Sequence, residues 1–315
     1  MSYETARHRY LEMLRTAFGE EVMQHMADDD VVEIMLNPDG QLWVERLSKG
    51  KHTTGRTLAK QRSENIIKLV ASFKNDIADA ENPVVSSELP FQGARFQGWL
   101  PPVVRQPTFS IRKRAVRIFS LNDYLLSGAI TQTGLEVLQQ AVLDRKNIII
   151  AGGTGSGKTT FANALLSVLK NCDERVLVLE DLPELQVDVA DLVTLTTTFT
   201  VTMRDLVKGA LRMRPDRIII GEVRDGAALE LLKAWNTGHP GGICTVHANS
   251  AESTLYRLED LIQEVVVTVP RNLILQAVDL IVYIDRLKDG RRVIRTISVL
   301  QDYLNGRYVL DNLVG

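Results

Sequence analysis

The stretch GGTGSGKT, residues 152–159, constrains the fold of this chain more than any other. It follows the apolar run NIIIAG and opens the run TTFANALLSVL, which predicts a strand, a glycine-rich turn and a helix. Glycines let the backbone curl so that successive N–H groups face one anion. The start of the helix adds positive potential at the same point. The expected holders of a nucleotide are therefore Gly152, Gly153, Thr154, Gly155, Ser156, Gly157, Lys158, Thr159 and Thr160. Lys158 is expected to reach the β and γ phosphates of ATP, and Thr159 to bind Mg2+ through its hydroxyl. A glycine-rich turn without a ligand is the plainer alternative. Every motif position and both flanks argue against it.

From about residue 131 onward, apolar strands alternate with helices. RVLVLED (175–181) and RIIIGEV (217–223) are further buried strands. Helical patterns cover 158–170, 203–213, 225–236 and 251–263, with Thr202 and Asp205 as a variant capping box. This alternation predicts an α/β fold with a largely parallel sheet covered on both faces. Asp289-Gly290 predicts an antiparallel hairpin between IVYIDRL and RRVIRTISVL. The first 116 residues read differently, as a smaller α+β domain. It has a helix over 3–27, strands at 31–37 and 41–46, and a helix that Ser63 would cap. Strand-rich segments follow at 91–104 and 108–116. The stretch 117–130 has no firm pattern and is taken as a linker, which leaves 131–315 as the P-loop domain.

With 315 residues there is room for two domains, and 45% hydrophobic with 24% charged residues is an ordinary globular mix. The formal net charge of −2 provides no global field toward nucleic acid, so sequence-specific nucleic-acid binding is not expected. Two isolated cysteines, Cys172 and Cys244, suit a reducing compartment. The charged start MSYETARHRYLEML lacks the apolar core of a signal peptide, and no run of about 18 apolar residues occurs. The expectation is a cytoplasmic protein whose membrane contact, if any, is peripheral.

Hydrolysis needs an acid to organise metal and water. The strand RIIIG ends in Gly221, which offers no side chain, and Glu222 comes next. Glu222 is therefore the expected base. LEDLPEL supplies Glu180, Asp181 and Glu184 at another strand end, and Glu180 and Asp181 are the expected Mg2+ carboxylates beside Thr159. Each has a plainer reading as a solvated strand-end acid.

GGTGSGKT, LEDLPEL, IIIGEVRD and TGHPGGICTVHANS, in this order, resemble the four boxes of the secretion ATPases, the cytoplasmic motors of type II and type IV secretion and of pilus machines. ELPFQGARFQGWLPPVVRQPTFSIRKRA (88–115) is similar to a narrower group, the conjugal transfer ATPases of the TrbB type. The resemblance implies a RecA-like motor core, a homohexameric ring, and work at the cytoplasmic face of the inner membrane. Its partners there would be the inner-membrane components of a type IV secretion or conjugation channel. It also implies that Arg95 and Arg112 approach the nucleotide. An arginine suits that role because it stays charged and forks onto phosphate oxygens; a solvated basic edge is the plainer reading. A pilus-retraction or type II secretion motor, a nucleic-acid translocase and a non-hydrolysing nucleotide binder are the rivals.

The stretch 237–250 holds His239, Cys244 and His247 among four small turn-formers. A metal site would need a further ligand and a stable cage. The resemblance to the family's histidine box makes His247 a sensor of the γ-phosphate instead. Gly238, Gly241 and Gly242 are expected to let its backbone move, and His239 to order the loop.

Overall fold

Two hydrophobic patterns of different period divide the chain. Half-buried strands dominate the first part and fully buried strands the second. The computed structural model describes residues 3–73, 76–91, 93–114, 118–198, 200–287 and 289–314. They form two compact units, Met1–Arg117 and Ile118–Gly315. Among the described residues no helix is long and apolar enough to cross a membrane.

The first unit carries helix α1 (Tyr3–Ala27), strands β1 (Val31–Leu36), β2 (Gln41–Arg46) and β3 (Gly50–Thr57), helix α2 (Lys60–Phe73), and strands β4 (Val84–Glu88), β5 (Arg95–Trp99) and β6 (Thr108–Arg112). The strands make one six-stranded antiparallel sheet in the order β3-β2-β1-β6-β5-β4. Leu14, Phe18 and Val22 of α1 and Ile66, Ile67 and Val70 of α2 are buried with Ile34, Phe96, Phe109 and Ile111 of the sheet. Each such side chain contributes about 1.5–3 kcal/mol by leaving water.

Two sequence expectations change here. The helix over 3–27 is broken at Gly19, whose φ of 64° lies in the left-handed region. Arg62 follows from this break: its guanidinium donates to the carbonyls of Ala17 and Phe18, both at 2.9 Å, which ends the first helical segment. Ser63 does not cap α2, which already begins at Lys60. Its buried hydroxyl donates back to Ala59 O at 3.1 Å instead.

The second unit runs through helices α3 (Leu121–Leu126) and α4 (Gln132–Leu143), strand β7 (Ile148–Gly152), helix α5 (Lys158–Leu166) with a 3-10 turn at Ser167–Leu169, and strands β8 (Arg175–Glu180) and β9 (Asp191–Thr196). Next come α6 (Met203–Ala210), β10 (Arg217–Ile220), α7 (Ala227–Asn236), β11 (Ile243–His247), α8 (Ala251–Gln263), α9 (Arg271–Ala277), β12 (Leu280–Arg286), β13 (Arg292–Leu304) and β14 (Arg307–Val314). The eight strands order as β14-β13-β12-β7-β11-β10-β8-β9. Those from β12 to β9 are parallel, and β13 and β14 pair antiparallel at the edge, with the Asp289-Gly290 turn joining β12 to β13.

Alternation along each strand sends its residues to two different cores. Ile149, Leu177, Ile218 and Cys244 pack with α6, α7, α8 and α9. Ile148, Ile150, Val178, Ile219 and Ile243 pack with α3, α4 and α5. Burial on both faces is why these strands read as continuous apolar runs. The capping box Thr202–Asp205 is present at the start of α6. The stretch taken as a linker carries α3 instead. Ser120 and Asp123 form its capping box, and Leu121 and Tyr124 are buried in the second unit.

Candidate active site

The P-loop joins the carboxyl end of β7 to α5, at the middle of the sheet. Gly155 and Gly157 have φ of 70° and 95°, a region a side chain resists. A Cβ on Gly152 would collide with the Ile284 carbonyl and Ser156 Oγ, so this glycine lets β12 close against the loop. Ser156 is buried, and its Oγ has no hydrogen-bond partner among the described residues. Gly153 faces open space on its Cα side. Left-handed glycines, a fresh helix start, an orphaned hydroxyl and a buried lysine fit the phosphates of a nucleotide.

Lys158 is the first residue of α5 and is buried. Its ammonium donates to the carbonyls of Gly152 and Gly153, both at 3.0 Å, and lies 3.2 Å from His247 Nδ1. An ammonium has only donors, so Nδ1 must accept and the ring proton sits on Nε2. Nε2 lies 2.7 Å from Glu222 Oε1. The tautomer is thus assigned by its neighbours. Burial, and then the Lys158 charge, hold the His247 imidazole below its ordinary pKa, with Glu222 opposing. The neutral ring therefore links the P-loop lysine to the expected base.

Glu222 stands just past β10, and its side chain is only 16% exposed. Its Oε2 accepts from both Nε and Nη2 of Arg224, the Nε bond at 2.7 Å. Arg224 Nη1 also lies 3.3 Å from Asp181 Oδ2. Asp181 Oδ1 accepts from Thr197 at 3.1 Å. One guanidinium therefore connects the acids of two strand ends. Sequence reasoning missed Arg224, although it stands within the IIIGEVRD box two residues from the base.

Glu180, at the end of β8, is buried, and its Oε1 accepts from the backbone N–H groups of Glu184 and Leu185, both at 2.8 Å. The 184–186 loop is fixed from the other side by Asn163. Its amide donates to Glu184 O at 3.1 Å and accepts from Gln186 N at 2.8 Å. Asn163 lies about one helical turn beyond Thr159 on α5, so LEDLPEL and the P-loop helix are tied together. Gly221 now has a physical reason: a Cβ there would stand 3.1 Å from Glu180 Cγ. A side chain at this position would crowd the Glu180 carboxylate. Thr159 and Thr160 occupy the first turn of α5 and are half-buried.

The histidine box differs from its expected form. ICTVH is β11, a central strand paired with β7 over five residues, not a bendable loop. Gly241 and Gly242 before the strand serve packing, whereas Gly238 has open space around it and a φ of 102°. A Cβ on Gly241 would meet Arg217 Nη1 at 2.6 Å, and one on Gly242 would collide with the Trp235 ring. Cys244 is buried in the core, where burial pushes its thiol pKa up. His239 lies beside the carbonyl of Ala234 near the end of α7, at 3.3 Å. His247 alone of the three joins the site. Among the described residues no group of three or more His, Cys, Asp or Glu is gathered to hold a metal. Thr159 with Asp181 and Glu180 is the set to consider for Mg2+, which binds through one or two carboxylates, phosphate oxygens and water.

Arg95 and Arg112 belong to the first unit. They stand opposite each other on β5 and β6, and Glu33 of β1 faces Arg112 on its other side. Burial raises the pKa of the Glu33 carboxyl, and Arg112 opposes that rise.

Residues 16–295 match the family of type II/IV secretion system proteins. The chain is 46% identical over 306 residues to the conjugal transfer protein TrbB of Rhizobium radiobacter, covering 96% of this chain and 94% of that protein. It is 33% identical over 286 residues to the type IV secretion system protein VirB11 of Bartonella henselae, covering 78% of this chain and 80% of the other. The Legionella pneumophila ATPase DotB has a similar fold, with a TM-score of 0.65 at 19% identity over 89% of this chain and 80% of that one. The match runs through all four boxes and most of both units, so this chain belongs to the type II/IV secretion system protein family and is one of its ATPases.

Proposed function

We propose that this ATPase powers conjugative transfer through a type IV secretion channel. The observation that carries the reading is the linked set Lys158–His247–Glu222–Arg224, which connects the phosphate loop to an oriented carboxylate. High identity to a conjugal transfer protein over nearly the full length favours the conjugative branch.

Lys158 donates to three acceptors that a β- or γ-phosphate oxygen can replace. A phosphate that draws this ammonium away from His247 leaves Nδ1 without its donor. His247 then reports the phosphate through a hydrogen bond rather than through loop motion. Glu222, held by Arg224 with His247 beside it, orients the attacking water and receives its proton. Thr159, Asp181 and Glu180 would hold Mg2+, which when bound supplies positive charge to the phosphate oxygens. Arg95 and Arg112 are assigned charge stabilisation at the γ-phosphate on the family resemblance. A homohexameric ring at the cytoplasmic face of the inner membrane, docked on channel components, completes the proposal.

The test is a solution mass measurement paired with steady-state ATP hydrolysis. In Mg2+ and ATP the mass should be six times the 35.2 kDa protomer. Hydrolysis should stop when the metal is chelated and return when it is restored. A monomer that binds ATP without turnover would leave a regulatory nucleotide binder as the better account.

A further inference from the structure

The β12–β13 hairpin brings two arginines to the P-loop from the side away from Glu222. Leu280, Val282 and Ile284 of β12 point to the core shared with α5, and Ile294 of β13 packs against that same core. Period-two alternation puts Arg286 and Arg292 next on this face, beyond the end of the apolar stripe. The two are Cα partners in the hairpin register. A Cβ added to Gly155 would stand 3.6 Å from Arg286 Nη1, and one added to Gly157 would stand 2.7 Å from Arg292 Cδ and 3.1 Å from its Nε. Arg292 also lies near buried Tyr124 of α3. Burial raises the pKa of that hydroxyl and the Arg292 charge opposes the rise. Both guanidinium groups thus sit against the two left-handed glycines of the loop.

The sheet order gives this placement a direction. β7 carries the loop. On one side β11 and β10 bring His247 and Glu222, and on the other β12 and β13 bring Arg286 and Arg292. A nucleotide whose γ-phosphate meets Glu222 extends its other end toward the hairpin. A guanidinium suits that end twice over, because it forks onto phosphate oxygens and stacks on an aromatic plane.

We propose that Arg286 and Arg292 receive the α-phosphate and nucleoside end of the bound nucleotide, and so set nucleotide affinity from within the second unit. The inference rests on the nucleotide reading of the P-loop.

The test is calorimetric titration of the full chain with ADP, which lacks the γ-phosphate, alongside ATPase kinetics. Arg286→Ala and Arg292→Ala should each weaken ADP about tenfold, the loss expected for a charge-assisted hydrogen bond. The larger part of the activity loss should fall on KM rather than kcat. Arg292→Lys should recover part of the ADP affinity. Thermal unfolding separates a misfolded Arg292→Ala from a folded one, and Arg286→Ala decides the question if that variant does not fold. Unchanged ADP affinity in folded variants, or a kcat collapse with ADP affinity intact, would overturn the inference alone. A wild-type chain that binds no ADP would overturn the nucleotide reading as well.

Discussion

Glu222 turns its two carboxylate oxygens to different neighbours: Oε2 accepts from Arg224, and Oε1 lies 2.7 Å from His247 Nε2 without a hydrogen bond among the described residues. His247 is in turn committed to Lys158 through its other nitrogen. Such a chain is sensitive to one proton. Protonating His247 removes the acceptor at Nδ1 and sets a cation beside the Lys158 ammonium. The folded-state pKa of His247 lies below the ordinary value of 6.5. The unfolded chain therefore binds this proton first as the pH falls. The stability held by the neutral ring is complete above about 6.5 and declines below it. Chemical unfolding at pH 7.5 and 5.5 should show a larger acid loss for wild type than for His247→Gln. His25 is shifted in the same direction by burial but contributes equally to both proteins. Equal acid losses would remove His247 from the account.

At the scale of elements, β11 is the piece that holds His247 in register with the P-loop. Val246 and His247 pair with Ala151 and Gly152. Gly242 lies just before this strand and its Cα faces the Trp235 ring. Gly242→Ala should therefore cost about 1–3 kcal/mol, the usual range for overpacking. Urea unfolding measures it, and an unchanged midpoint would show that α7 gives way freely. This element also shows where sequence reasoning stopped. The placement of GGTGSGKT between a strand and a helix, and of Glu222 just past a strand end, was legible because chain spacing sets both. The two-core sheet was legible from the runs NIIIAG, RVLVLE and RIII. The packing role of Gly241 and Gly242 was not, because Arg217 and Trp235 come from other elements. Asn163 was missed for a similar reason, and Arg224 because its link to Asp181 forms only on folding. Edge strand β9 was missed because its mixed, half-exposed sequence DLVTLT carries no fully buried run. The capping box of α3 was readable in Ser120 and Asp123, but the helix is short and its burial depends on distant contacts.

At the scale of the whole molecule, an antiparallel α+β unit precedes a parallel α/β unit that contains the P-loop, the expected base and the histidine link. The central claim is that this second unit hydrolyses ATP with Glu222 as the group that activates water. The most direct measurement compares ATP binding and steady-state hydrolysis in wild type and Glu222→Gln under the same Mg2+ and ATP. The account predicts that Glu222→Gln binds ATP with wild-type affinity while turnover falls by about 10²–10⁴, the usual contribution of a positioned general base. Turnover equal to wild type in Glu222→Gln would contradict it, and would move the search for the base to another carboxylate at the strand ends.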